Sequence, residues 1–471
     1  MDIFDKKPLP NRKIYLLTLL TPAVYLLAAT SSHLIGLLPF YFLGLILIAR
    51  ARTYRTAFYS GLLSSFLTAA LHINFFLNIF GHASIILWLI ISIWPALFIL
   101  MVKFTIDKGN KTVSLFAIPL ILFVLEMISS EIYPLRFSWC TPGFMTHENP
   151  QIFGIPFLGV YGFSALILLI TILAVYSQKR SYLISGFATF LTLLSFIKME
   201  ADTQRTGPKI TGIQLEFPEE YEALNALENA AIVHPDSDIF MLSEYSFKDG
   251  IPEKVRKWCK ANNKFLIAGT TFKSENNNFY NTAVVVNPDG IIEFTQVKAQ
   301  PIQFFNDGLP AQEQKLWESP WGKIGICICY DLSYATVTDK LVELGAQALI
   351  VPTMDVESWG KSEHQLHSRV APIRAAEYGI PIFKVASSGI SQSANRNGLV
   401  IATADYPGQN EIISSTLNIN EKGSKPFDRY LFYPAITVLI LIMLFSISDK
   451  RKTLSVSTSL QAVLLSLFSQ R

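Results

Sequence analysis

Four cysteines, Cys140, Cys259, Cys327 and Cys329, are the residues from which reactive chemistry is first sought in this chain. Four are too few for a disulfide framework, and the C-x-C of Cys327 and Cys329 has no nearby histidine to make a zinc-ligand spacing. What remains is nucleophilic attack, for which a neighbouring base must generate the thiolate. The run GKIGICICYD is apolar up to residue 328 and turns polar at Tyr330 and Asp331, so the Cys329 thiol stands where a strand exits into a loop. Cys327, two residues earlier, is expected to share its face inside the strand and to pack. Cys140 and Cys259 read as bystanders. Glu244 closes a second apolar run, IFMLSE, where desolvation would raise a carboxyl's pKa and suit it to moving protons. Lys298 closes a third, YNTAVVVNPDGIIEFTQVK. There is no glycine-rich phosphate loop, dinucleotide fingerprint or metal-ligand spacing, so neither a cofactor nor a metal is implied.

These three residues sit among short β-rich runs that alternate with helical ones from 199 to 427. KITGIQLEF, DIFMLSEYS, KFLIAGTTF, YNTAVVVNPDG and IIEFTQVK alternate with helices predicted over 218–233 and 252–262. KIGICICYD, AQALIVPT, PIFKVASSGISQSA and GLVIATAD follow, with helices over 333–344 and 362–378. Strands apolar on both faces between amphipathic helices predict sheets covered by helices, an α/β layered domain. VNPDG is a hairpin turn signal.

The rest of the chain is of another kind. Of the 471 residues 51% are hydrophobic and only 16% charged, a balance foreign to ordinary soluble proteins. The net charge of +3 gives no field to hold nucleic acid by its phosphates, so nucleic acid is excluded as a partner. Apolar stretches at about 14–30, 33–49, 56–80, 84–102, 112–125, 159–176, 182–197 and 430–447 each approach the ~20 residues that cross a bilayer, which predicts an α-helical bundle of about eight transmembrane helices. The first is expected to be a span rather than a cleaved signal, because no small-residue cleavage site follows it. Basic residues collect before span one, at Arg50 to Arg55, at Lys103 to Lys111, at Lys179 and Arg180, and at Lys450-Arg451-Lys452. That alternation puts both termini in the cytoplasm and the layered domain outside. The expected division is 1–198, a seven-helix base; 199–427, the extracytoplasmic domain; and 428–471, a closing helix and tail. Within the spans His72, Asn74 and Asn78 are expected to bond between helices, and Glu126 is a candidate substrate-facing group.

The domain resembles the nitrilase, or carbon–nitrogen hydrolase, superfamily, an αββα sandwich with a Glu-Lys-Cys triad. Glu244, Lys298 and Cys329 stand in the superfamily's order, followed by Arg374, Ala375 and Glu377 in an R-A-x-E helix. With the helical base, the FSW of 137–139, the GF of 143–144 and GVYGFSAL, the whole chain resembles the apolipoprotein N-acyltransferase family. The resemblance implies a multi-pass enzyme of the bacterial inner membrane, with a phospholipid acyl donor, a diacylated lipoprotein acceptor and the bilayer as partners. Glu244 is then the general base, Cys329 the nucleophile that carries a thioester, and Lys298 the charge beside the oxyanion, with the Tyr330 N–H as second donor. Tyr330, Asp331, Glu126 and Asp307 are the implied substrate-binding residues. Trp359, His364, His367 and Arg374 read as structural, on a helix with a surface to solvate.

Several positions depart from that family. The E-W-L-R motif that Glu126 begins reads EMIS, so its arginine is missing. The Q-G-N opening is Gln214-Leu215-Glu216, the tryptophan after it is absent, and H-L-V-P-F-G-E after the lysine is replaced by AQPIQFFNDG, with Asp307 one place beyond the family's glutamate. Altered donor or acceptor preference is expected, since such loops contact substrate while the triad acts on the bond. Two rivals remain: a membrane-anchored amidase of nitrilase type, and an inactive membrane protein that binds partners. An apolar cleft from Cys329 toward the bilayer would disfavour the first, and a misplaced Glu244 or Lys298 would favour the second.

Overall fold

The computed structural model describes residues 3–176, 180–197, 207–404, 406–408 and 410–448. Lys179, the boundary segment 198–206, residue 405 at the end of GLVIATAD and the Lys450-Arg451-Lys452 cluster lie outside them. A helix occupies each of the eight apolar stretches. Among the described residues five helical segments, Asn11–Thr30, Ser32–Ala49, Phe76–Lys108, Lys111–Ile132 and Ile155–Tyr176, are long and apolar enough to cross a membrane.

The stretch 56–80 is not one helix. Tyr54–His72 ends in a break, and Phe76–Phe80 forms a separate short helix that stops at Gly81, whose φ of 54° suits a residue without a Cβ. The break frees two asparagines for the layered domain. Asn78 Nδ2 donates to the Trp359 carbonyl at 3.0 Å, and the Ser362 hydroxyl donates to Asn74 Oδ1 at 2.9 Å. Both therefore join the helices to the domain instead of bonding between helices as expected. His72 packs its ring edge against Tyr25.

The described residues of the layered domain contain twelve strands: β1 Lys209–Ile213, β2 Ile239–Leu242, β3 Phe265–Lys273, β4 Phe279–Val286, β5 Ile292–Val297, β6 Leu316–Ser319, β7 Gly322–Ile326, β8 Ala348–Thr353, β9 Ile382–Ala386, β10 Gln392–Ala394, β11 Val400–Thr403 and β12 Ile412–Thr416. They form two six-stranded sheets, β12-β1-β2-β3-β4-β5 and β11-β10-β9-β8-β7-β6. The VNPDG hairpin joins β4 to β5 antiparallel as expected. Side chains alternate across each strand. Ile239 and Met241 face the inter-sheet core, while Phe240 and Leu242 face Leu227, Val255 and Trp258 of the helices Glu220–Val233 and Glu253–Asn262. On the second sheet Leu349 and Val351 pack with Leu341, Val370 and Ile373 into an apolar core continuous with the membrane helices. The layers are thus helix, sheet, sheet, helix, with the last helix layer standing on the helical base.

Three expectations change. The helix over 362–378 is two, Lys361–Ser368 and Val370–Tyr378; Pro372, which has no N–H, sits in the first turn of the second, where none is needed. The strands β6 and β12 are short edge strands with polar residues, below the reach of periodicity. Cys327 and Cys329 do not share a face, because β7 ends at Ile326. Cys327 packs in the layer toward the helices and Cys329 with the inter-sheet core.

Candidate active site

Three strand ends bring the reactive side chains together. Glu244 follows β2, Lys298 follows β5, and Cys329 opens a 3₁₀ turn after β7. All three are fully or almost fully buried. Cys329 holds a left-handed backbone, φ 54°, which costs a non-glycine residue about 1–2 kcal/mol and turns the thiol out of the strand's alternation. Gly269 in β3 permits the close packing of Glu244, since a Cβ there would lie 2.5 Å from the Glu244 Cα.

Lys298 Nζ lies 2.9 Å from Glu244 Oε1 and 2.7 Å from Asp307 Oδ2. Asn281 Nδ2 bridges the same two carboxylates, at 2.6 Å to Glu244 and 3.0 Å to Asp307. The Met354 N–H donates to Glu244 Oε2 at 2.8 Å, and Cys329 Sγ lies 3.6 Å from the Met354 carbonyl, so the backbone of one residue touches both base and nucleophile. The loop after Lys298 is pinned by Asp331, whose carboxylate accepts from the N–H groups of Ala299 at 2.9 Å, Gln300 at 2.7 Å and Ile328 at 3.2 Å.

The charges are shared unequally. Burial raises the Glu244 carboxyl above its ordinary value despite the pull of Lys298, and the Asp307 charge adds to the rise. Burial also opposes Asp307, yet the Lys298 ammonium beside it holds that carboxyl below the ordinary range. For Lys298 burial works against the charged form, and Glu244, Cys329 and Asp307 outweigh it, keeping the ammonium. Burial and the Glu244 charge push the Cys329 thiol well up, against Lys298. At rest the set is therefore an ammonium paired with Asp307, a carboxyl poised to take a proton, and a thiol that must give one.

A partly open cavity begins at Cys329. From the domain come Tyr330, Tyr334, Asp355, Trp359, Glu363 and His367; from the loop after Lys298, residues 302–305; from the helices, Phe75, Phe76, Ile79, Phe80, Leu87, Ile90 and Ile91, with 135–137 and Trp139. Among the described residues Arg136 is its one lysine or arginine, with its guanidinium 4.3 Å over the Tyr334 ring and one N–H donated to the Glu131 carbonyl at 2.8 Å.

The implied substrate-binding residues separate. Tyr330 lines the cavity, its ring 5.5 Å from that of Trp139. Asp331 and Asp307 do not line it: the first ties backbone and the second pairs with Lys298. Glu126 lines a second cavity among the helices, which shares Ile91, Leu135 and Phe137 with the first. The helix expected to be solvated is buried instead. His364, His367 and Arg374 are at most 1% exposed, and Trp359 and His367 line the cavity. Arg374 keeps its structural part, donating to the Leu332 and Ser333 carbonyls and pairing with Glu377.

Sequence reasoning missed Asn281, Asp355 and Glu131. Asn281 sits in an alternating strand with nothing to distinguish it. Glu131 accepts from Tyr161 Oη at 2.6 Å and the Ala335 N–H at 3.1 Å, joining helices to domain. The departing Glu216 accepts from the Glu357 N–H at 2.9 Å and from the Ser388 hydroxyl, and so holds the loop before Trp359.

Residues 21–173 match the model of the apolipoprotein N-acyltransferase N-terminal domain, and 251–424 that of carbon-nitrogen hydrolase. The chain is 23% identical over 319 residues to the apolipoprotein N-acyltransferase of Haemophilus ducreyi, covering 56% of this chain and 62% of that protein. It is 25% identical over 169 residues to the deaminated glutathione amidase of Dictyostelium discoideum, covering 33% of this chain and 58% of the relative. The matches thus span about six tenths of these relatives' lengths. A solved carbon-nitrogen hydrolase from Helicobacter pylori G27 aligns with 45% of this chain and 89% of its own, at 18% identity and a TM-score of 0.40. The helical part resembles the N-terminal domain of apolipoprotein N-acyltransferases and the layered part the carbon–nitrogen hydrolases, the pairing that the motifs implied.

Proposed function

We propose that this protein is a membrane acyltransferase that moves an acyl chain from a phospholipid, through a thioester on Cys329, to the N-terminal amine of a diacylglyceryl-cysteine lipoprotein. Glu244 takes the thiol proton as Cys329 attacks the ester carbonyl, and Lys298, with the Tyr330 N–H, stabilises the tetrahedral oxyanion. A lysophospholipid leaves. The acceptor amine then attacks the thioester, and the amide departs with the acyl chain.

The observation that carries this reading is the cavity, whose walls run from the Cys329 thiol to apolar side chains on helices that could cross a bilayer. A soluble amide needs no such wall. Eight crossings, with both termini inside and the domain over the outer leaflet, fit the charge alternation and bring both lipid substrates to the cavity mouth. The amidase reading draws on the likeness to a deaminated glutathione amidase and on the same triad. Close placement of Glu244, Lys298 and Asp307 weighs against an inactive relic.

The test is intact mass measurement after incubation with phospholipid vesicles, with and without a diacylated peptide. An added acyl mass on the wild type, absent from Cys329→Ala and discharged by the peptide, is expected. No acyl adduct, with hydrolysis of a small amide by the same preparation, would replace this reading with the amidase.

A further inference from the structure

Beside the triad lies a second group of buried ionisable residues that the chemistry above leaves unused. Asp355 follows β8, and its carboxylate accepts from His367 Nδ1 at 2.7 Å and lies 3.1 Å from Lys384 Nζ. All three residues are at most 1% exposed. The pair with Asp355 puts the proton on His367 Nδ1 and leaves Nε2 free to exchange one. Nε2 has no hydrogen-bond partner among the described residues, although the ring is buried and lines the cavity. Trp139 stacks on the ring, centroids 5.0 Å apart at 25°, and fixes its plane. A ring nitrogen of His367, a carboxylate oxygen of Asp355 and the Cys329 sulfur lie within 4.8 Å of one another. A buried histidine held by a carboxylate on one nitrogen and bare on the other, this close to a nucleophile, has the geometry of an acid–base group.

Resting on the acyl-transfer reading, the geometry points to His367 as a second catalytic acid and base, oriented by Asp355, that serves the oxygen leaving the donor and the amine arriving from the acceptor. Glu244 and His367 then divide the protons between the two sides of the acyl carbon. In the first half-reaction the Cys329 S–H proton passes to Glu244 and the S–C bond forms. The C–O bond to the glyceryl group breaks, and the departing oxygen takes the Nε2 proton of His367, which enters this step as the imidazolium, protonated at both nitrogens and paired with the Asp355 carboxylate. In the second, the neutral amine attacks the thioester and gives its N–H proton to His367 Nε2; the S–C bond breaks, and the sulfur recovers its proton from Glu244. The sum is ester plus amine to amide plus alcohol, with both acid–base groups restored.

The groups facing His367 are Asp355 at 2.7 Å, the Glu363 carboxylate at 3.7 Å, Cys329 and the Trp139 ring, with Lys384 beyond Asp355 and His364 2.9 Å from Glu363. Removing the imidazole must therefore be separated from disturbing this cluster, and the leaving group does so. The glyceryl alkoxide needs a proton to depart, whereas p-nitrophenolate does not.

The experiment uses the full chain in lipid nanodiscs and compares the rate of Cys329 acylation from phospholipid with that from a p-nitrophenyl ester, for wild type, His367→Gln and Asp355→Asn. His367→Gln should slow acylation from phospholipid by about 100-fold or more, in the general-acid range, yet stay within about threefold of wild type on the activated ester. Asp355→Asn should show the same pattern more weakly. An equal loss on both esters would make the role structural, and no loss on phospholipid would remove it; either overturns the inference. If His367→Gln does not fold, His367→Asn is read in the same pair of assays. A wild type that gives no thioester with phospholipid refutes the lipid reading instead, and the comparison then moves to a simple amide, whose amine equally needs a proton to leave.

Discussion

The cavity has a floor and a wall of opposite character. The floor belongs to the layered domain, with Cys329, Tyr330, Asp355, Glu363 and His367 on its surface; behind Cys329, Glu244, Lys298, Asp307 and Asn281 are linked by short hydrogen bonds at the ends of strands, and Asp331 ties the backbone beside them. The wall belongs largely to the helices and is a run of aromatic and aliphatic side chains, Phe75, Phe76, Ile79 and Phe80 among them. A polar floor is position-critical, because each buried charge is tolerated only with its partner in place. An apolar wall is area-critical, because burial acts through contact and tolerates exchange among side chains of similar size. The two should therefore fail differently under mutation: the floor in rate, the wall in substrate preference.

The sharpest contrast lies within one turn of chain. Cys329→Ala should abolish acyl transfer, a loss of at least about 10³-fold, with insertion and folding unchanged. Cys327→Ala, in the layer toward the helices, should keep most activity and cost about 1–2 kcal/mol of stability for its small cavity. Thioester trapping and thermal unfolding of the two variants separate these outcomes. Equal loss of transfer would move the boundary of the floor inward by two residues.

Lys298→Met tests the floor's charge logic. It leaves Glu244 and Asp307 buried without their shared cation, so a stability loss of about 3–5 kcal/mol should accompany the loss of acylation. Glu244→Gln keeps the shape and should remove acylation by about 10²- to 10⁴-fold with a smaller effect on stability. The pH profile follows from the same groups. As a base Glu244 must be ionised, and its carboxyl is raised, so acylation should climb with pH through a midpoint above the ordinary glutamate value. Asp331, pushed up to about 6, keeps its proton in the folded state after the unfolded chain has lost it. Folded molecules then bind more protons between the unfolded value near 4 and about pH 6, and stability should fall across that window as pH rises. Denaturant titrations of wild type and Asp331→Asn check the slope, which should shrink in the variant.

How much of this was legible in the sequence follows the same division. Glu244 and Cys329 were visible where apolar runs end, Lys298 only through the ordered resemblance to the nitrilase superfamily, and the strands β2, β5 and β7 bring the three together. Asp307 was seen but misassigned, since a loop residue nine places after Lys298 gives no sign of folding back onto it. The wall was the harder part. Its residues lie in a stretch of uniform hydrophobicity, where no periodicity marks a break, so Phe76–Phe80 read as the end of a span. Only the asparagines at 74 and 78, polar groups in an apolar run, carried a signal, and it was read as bonding between helices whereas their partners lie in the domain. The buried His367 was hidden for the converse reason: a histidine on a polar-looking helix reads as solvated until the helix base below it is known.

For the wall, Phe76→Ala and Trp359→Ala should leave the rate on a short-chain ester within about twofold and raise KM for a long-chain donor by about 10-fold. That corresponds to the ~1–2 kcal/mol expected from one aromatic contact with an acyl chain. Measuring KM and kcat across a series of chain lengths gives the check. A uniform fall in kcat at all lengths would mean that these side chains position the floor and that the division drawn here is wrong.

The smallest expected effect lies at the joint between the two regions. Asn78 donates to the Trp359 carbonyl and Asn74 accepts from Ser362, so they tie the short helix of the wall and the break before it to the turn at Trp359 and the start of the helix that carries His367. Each bond is at an exposed edge and should contribute about 0.5–1 kcal/mol at most. Asn78→Ala should therefore raise the long-chain KM by about two- to threefold, through looser placement of Trp359, and leave kcat on a short ester untouched. Combined with Trp359→Ala its effect should vanish, because the residue it positions is gone; the pair would then be non-additive by the whole of the small term. A loss that persists in the double variant would show that Asn78 acts on the floor through the main chain of 359–362. The wall and the floor would then be coupled by backbone instead of meeting only at the acyl chain between them.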